Sequence, residues 1–133
     1  MSKSRAIALM REIPAVVVSA GLMQKTVKVQ VGVQQWNSHI KKISLVKYFN
    51  RRRNHLVHDP NDSVRIGDIV AISAGSRVAK HVRHVVTKII APFGVPIEER
   101  PPIPTIEERN AAKEEKRRLK QERSEKKLSN KLL

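Results

Sequence analysis

Between Thr26 and Gln34 the chain alternates without a break, and this constrains its fold more than any other feature. Val27, Val29, Val31 and Val33 fall on one side, with Thr26, Lys28, Gln30, Gly32 and Gln34 on the other. A period of two is the signature of a β-strand with one face buried, because successive Cβ atoms point to opposite sides of the pleat. Gly32 inside the run predicts a bulge or sharp bend, a device that helps sheets close.

Strand signals recur on both sides. Ala15 to Ala20 holds the apolar run Val16-Val17-Val18 and breaks at Gly21. A long β-prone stretch covers about Ile43 to His58, and Asp59-Pro60-Asn61-Asp62 is a turn by its chemistry. Gly67-Asp68 introduces Ile69-Val70-Ala71-Ile72, and a last strand from about Val82 to Ala91 stops at Pro92. Five short strands with polar connections and no helix between them predict an all-β antiparallel barrel over residues 13–94.

Beyond it the composition shifts. Pro92, Pro96, Pro101, Pro102 and Pro104 predict a stiff extended linker. Thr105 followed three residues later by Glu108 is a capping box, and neither Pro nor Gly comes after it. One helix is expected from about Ile106 to Leu128. Residues 95–133 thus read as Pro-rich linker and charged helix, and truncation after Pro96 is expected to leave the barrel folded. The helix has no apolar stripe, but its charges are sorted at 100° per residue. Arg109, Lys113, Lys116, Lys120, Arg123 and Lys127 share one face, which points to contact with RNA or protein. Glu107, Glu108, Glu114, Glu115, Glu122 and Glu125 share the other. A solvated charged helix is the plain alternative.

Charge names the partner class. Lys and Arg number 27 against 12 Asp and Glu, a net charge of +15. Between Ile13 and Pro96 the imbalance sharpens to thirteen Lys or Arg against Asp59, Asp62 and Asp68. Such a field attracts polyanions. Three clusters carry it. Lys25 and Lys28 flank the first turn, while Lys41, Lys42 and Lys47 lead into Arg51-Arg52-Arg53. Arg77, Lys80, His81 and Arg83 sit in the loop entering the last strand. Only Trp36, Tyr48, Phe49 and Phe93 are aromatic, and a barrel core is expected to claim some of them. Base stacking is therefore not expected to be the main term, and phosphate contact on a structured RNA is. Residues 1–12 form a basic arm with Lys3, Arg5 and Arg11, patterned like an organelle-targeting segment or an RNA-touching arm.

Other chemistries find little footing. Without cysteine there is no disulfide or thiolate site, and no apolar run is long enough to span a bilayer. His55 with His58, and His81 with His84, sit three apart, which on strands puts them on opposite faces, so no metal site is expected. There is no nucleophile beside a base, no Gly-rich phosphate loop and no paired carboxylates in the folded part. Asp68 is expected to order a turn. We expect a non-enzyme with no cofactor, no membrane and no small-molecule substrate.

Three segments carry a resemblance. Val16-Val17-Val18-Ser19 with Met23-Gln24-Lys25-Thr26-Val27-Lys28-Val29, then Lys47-Tyr48 through Arg51 to His58-Asp59, then Ile66-Gly67-Asp68-Ile69-Val70-Ala71-Ile72 resemble ribosomal small-subunit protein seventeen. The Arg51-Arg52-Arg53 and Ala79-Lys80-His81-Val82-Arg83-His84 forms look like its mitochondrial branch. The resemblance implies an OB-type Greek-key barrel that binds small-subunit rRNA beside neighbouring ribosomal proteins in the mitochondrion. It also implies RNA-facing roles for Lys25, Lys28, Lys47, Arg51, Arg77, Lys80 and Arg83. Leu22 stands where that family usually has a basic residue, and Arg77 and Ala79 replace its usual Pro and Ser. A free OB-fold RNA chaperone or translation factor is the competing reading, and exposed aromatics on the barrel face would mark it. A protein-contacting scaffold docked by its helical tail is a third.

Overall fold

The alternating valines become the wall of a closed barrel. The computed structural model describes residues 11–36, 48–75 and 77–132. Five strands, β1 (Glu12–Met23), β2 (Thr26–Trp36), β3 (Tyr48–His58), β4 (Ile69–Ala74) and β5 (Val82–Ala91), close in the order β1-β2-β3-β5-β4. A single 3₁₀ turn, Ile97–Glu99, and a helix α1 (Ile106–Leu132) follow. The chain forms two compact units, Met1–Ile103 and Pro104–Leu133. The expected five-stranded barrel and C-terminal helix are both present.

The core holds Ala15, Val17, Val27, Val29, Val31, Val57, Val64, Val70, Ile72 and Val86, all buried. Small β-branched side chains suit the narrow interior of a five-stranded barrel. No aromatic belongs to this cluster, so the expectation that the core claims some of them fails. Trp36, Tyr48, Phe49 and Phe93 are all exposed, but they lie at the end of β2, the start of β3 and just past β5, off the barrel face where a free OB-fold factor would carry them.

Two further expectations are corrected. The barrel is not wholly antiparallel, because β3 and β5 pair in parallel, Leu56 with Val82 and His58 with Val85. A Greek-key closure requires one such seam, since β5 must return past β4 to cover β3. Nor does the chain bend at Gly32. The β2–β3 register runs unbroken from Thr26↔His58 through Gly32↔Arg52 to Trp36↔Tyr48. Register shifts lie instead in β1, between Val17 and Ser19 and between Ser19 and Met23, where Gly21 adopts φ +82, and along β5 where it pairs with β3 and β4. Curvature is needed where the barrel closes, and Gly32 lies beyond that point.

The turn before β4 is a hub. Asp68 is fully buried and its carboxylate accepts the backbone N–H of Arg65 at 2.8 Å and of Phe93 at 2.7 Å. Arg100 pairs with both of its oxygens from a side chain 1% accessible. The same guanidinium donates to the carbonyls of Val95 and Phe93. Asn61 Nδ2 donates to Pro102 O at 2.7 Å, and Ile103 packs on the core. The stretch read as a stiff linker is thus held to the barrel as far as Ile103. Truncation after Pro96 removes Arg100 and strands a buried carboxylate, which reverses the expectation of a barrel that survives that cut.

Asp59, also fully buried, accepts the Val64 N–H at 2.9 Å. Burial pushes its carboxyl above the ordinary 3.8, against the lowering effect of the Val64 hydrogen bond. Burial pushes Asp68 upward as well, but Arg100 and the Arg65 and Phe93 N–H groups outweigh it and hold that carboxyl below 3.8. Asp59 therefore adds stability below its ordinary value and loses it as pH rises through the folded one. Asp68 adds stability above its ordinary value and loses it as pH falls through the folded one. Urea midpoints followed by circular dichroism should climb as pH falls toward 3.8, then drop below it. Asp59→Asn should remove the climb and keep the drop.

Candidate nucleic-acid interface

Beyond the barrel wall, β2 and β3 continue as a two-stranded ribbon. The β1–β2 pairs reach only Gln30, and the β3–β5 pairs begin only at Leu56. Residues 31–36 and 48–55 pair with each other alone among the described strands.

Register divides the arginines. Residues directly opposite in an antiparallel pair project to the same side. Arg53 faces Val31 and Arg51 faces Val33, so both lie on the core side of the ribbon. Arg52 faces Gly32 and lies on the outer side, as does Lys28 opposite Leu56. Four residues of strand separate Lys28 from Gly32, about 13 Å. Nothing lies within 4 Å of where a Cβ at Gly32 would stand, which leaves the space beside Arg52 open. All three arginines and Lys28 are exposed. At the end of the ribbon Trp36 and Tyr48 meet edge to face at 5.0 Å, on the same outer side as Arg52.

The third cluster arrives at the base of this ribbon. Because β5 runs parallel to β3 and starts beside Leu56, the loop before it lies at the end of the barrel that the ribbon leaves. His55 and His84 touch across the seam with ring centroids 5.1 Å apart. Burial and the neighbouring His55 lower the His84 value below 6.5, which favours its neutral form. Arg77, Lys80, His81 and Arg83 are exposed. Arg77 also braces its own loop, donating to Ala79 O at 3.2 Å and Lys80 O at 3.3 Å. This supplies the turn geometry that proline would otherwise fix.

The structure thus brings the arginine triplet and the third cluster to one end of the barrel and sets Lys25 apart. Lys25 lies at the opposite end, in a left-handed turn (φ +53) whose N–H donates to Asp62 and whose carbonyl accepts the Asp59 N–H. Lys47, with Lys41, Lys42 and residues 1–10, lies outside the described residues. Among the described residues no group of three His, Cys, Asp or Glu could hold a metal ion, and no helix is long and apolar enough to cross a membrane.

In the second unit the capping box closes as expected. Thr105 N–H donates to Glu108 Oε2 at 3.0 Å, and Glu108 N–H donates to Thr105 Oγ1 at 3.3 Å. The helix runs four residues past its expected end and buries none of its residues. Its single register keeps Arg109, Lys113, Lys116, Lys120, Arg123 and Lys127 on one face. Arg118 approaches Glu122 at 3.7 Å, an exposed pair of little energetic weight.

Sequence reasoning missed Arg100, whose guanidinium is held in a buried ion pair, because its partner lies 32 residues away. It also missed the division of the arginine triplet, since a face is assigned only once the pairing register is known.

Comparison with known proteins agrees with this architecture. The family model for ribosomal protein S17 matches residues 15–88, more than half of the chain and nearly all of the barrel. Small ribosomal subunit protein uS17m of Neurospora crassa is 50% identical over 115 residues, 86% of this chain and 67% of that protein. The protein of the same name from Bos taurus is 36% identical over 73 residues, 54% of this chain and 52% of its own length. A match of 115 residues cannot fit within the barrel unit and must run into α1, so the fungal relative shares part of the tail. Matched through every strand of its barrel, the chain belongs to the ribosomal protein S17 family.

Proposed function

We propose that the chain is a structural component of the mitochondrial small ribosomal subunit, where it binds rRNA and supports subunit assembly and translation. One observation carries the reading: at the ribbon end of the barrel, Arg51, Arg52, Arg53, Arg77, Lys80, His81 and Arg83 gather, with Lys28 on the adjoining wall, while Glu12, a carboxylate at that end, is paired with Lys88 at 2.8 Å. Phosphate contact is the chemistry such a surface serves. Because Arg52 and the Arg51/Arg53 pair occupy opposite faces, the ribbon works as a wedge, holding one phosphate backbone on each side. Exposed Trp36 and Tyr48 at its end supply a place for an unstacked base.

The cationic face of α1 provides a second run of phosphate contacts, with its acidic face turned to neighbouring ribosomal proteins. In mitochondrial extracts the chain should sediment with the small subunit and stay there through a moderately high-salt wash. Release into the soluble fraction would favour a transient OB-fold factor instead.

A further inference from the structure

The end of the barrel opposite the ribbon has a different chemistry. There the β1–β2 hairpin tip and the β3–β4 loop are pinned together, with Lys25 N–H donating to Asp62 at 3.1 Å and Asp59 N–H to Lys25 O at 3.0 Å. Between them lies a groove of about 640 Å³ walled by Ala20, Met23, Val27, Val64 and Ile66. Its rim exposes large aliphatic side chains: Met23 is 48% exposed, Ile66 57%, and Leu22 beside it 85%. Patches of this kind on an otherwise charged protein mark a contact surface.

The charge around the groove indicates what covers it. Two of the three acids between Ile13 and Pro96, Asp59 and Asp62, line it. Asp59 sits at its floor with Oδ1 unpartnered among the described residues. One cation, Arg65, also lines the groove, but its guanidinium is turned back on the carbonyls of Asp62 at 2.6 Å and Val64 at 3.2 Å. Lys25 stands on the hairpin tip outside the lining. A phosphate backbone would here meet the exposed Asp62 carboxylate and hydrocarbon, whereas a basic side chain would meet a complementary group.

We propose that this groove docks a segment of a neighbouring basic protein, which seats an aliphatic or aromatic side chain between Met23 and Ile66 and brings a lysine or arginine to the exposed Asp62, near the buried Asp59. The barrel then has two ends with two partners, rRNA at the ribbon and protein at the hairpin. The charge of a cation held at Asp62 would also offset the burial that disfavours the ionised Asp59 carboxylate. The inference rests on the chain residing in the small subunit.

The chain has no cysteine, so a single introduced one carries a probe at a chosen place. Full-length Leu22→Cys bearing a benzophenone, incorporated into small subunits and irradiated, should crosslink to a protein segment that contains Lys or Arg. The same probe on Arg52→Cys should crosslink to rRNA. Asp62→Asn, which keeps the acceptor for Lys25 N–H and removes the charge, should lose most of the Leu22→Cys crosslink. Crosslinking of Leu22→Cys to rRNA, to an acidic segment or to nothing overturns the inference, as does a yield untouched by Asp62→Asn. Co-sedimentation of the labelled chain separates the two readings. A chain that stays out of the subunit overturns the small-subunit reading and this inference with it, whereas one that enters without the protein crosslink overturns this inference alone.

Discussion

Arg100→Met is expected to destabilise the barrel unit by about 3–5 kcal/mol, the cost of leaving a buried carboxylate without its charge partner. Asp68 is fully buried and Arg100 nearly so, so water offers little relief. Two carbonyls, of Val95 and Phe93, lose their donors in the same step. Truncation after Pro96 should behave like Arg100→Met, because it removes the same guanidinium. Truncation after Pro104 should leave the barrel folded, since the tie and Ile103 both remain. Urea unfolding of the four chains reads the effect directly. Asp68→Asn added to Arg100→Met should recover part of the loss, because Asn keeps an acceptor for one of the two N–H groups and carries no charge. A double variant less stable than Arg100→Met would mean that the two N–H acceptors matter more than the charge.

Reversing Arg51, Arg52 and Arg53 to Glu is expected to weaken rRNA binding by roughly three decades, taking about 1.5 kcal/mol for each charge-assisted contact. The sharper readout is salt dependence. Each lost phosphate contact on a duplex removes about 0.9 from the slope of log affinity against log salt, so the triple variant should lose about 2.7. The division by face adds an internal check. Arg52→Ala should lower the slope by about 0.9 and the Arg51→Ala/Arg53→Ala pair by about 1.8, each erasing a different part of the rRNA footprint. An unchanged slope would remove the ribbon from the binding surface.

The sequence disclosed what depends on local periodicity and turn chemistry. Alternation from Thr26 to Gln34 marked β2 and its inward valines, Asp59-Pro60-Asn61-Asp62 marked a turn, and Thr105 with Glu108 marked the start of α1. What it hid depends on pairing between distant segments. The parallel β3–β5 seam leaves no periodic trace, because alternation records a strand's faces and says nothing of its neighbours. Arg51-Arg52-Arg53 reads as one cluster until register sends its members to two sides. Arg100 reads as one more cation among prolines until the fold places it over Asp68. The aromatics misled for a related reason: their apolar rings suggested core, whereas a barrel this narrow fills with valine and leaves the larger rings outside.

Because the chain has no cysteine, the seating of rRNA at the ribbon end of this barrel is directly measurable. An iron–EDTA tether on Arg52→Cys or Arg53→Cys, in small subunits assembled with the full chain, would cleave rRNA wherever the backbone passes the ribbon. Strong cleavage is expected from both positions, in two different rRNA segments, with weak or no cleavage from Leu22→Cys. Strong cleavage from Leu22→Cys with none from Arg52→Cys or Arg53→Cys would contradict that seating.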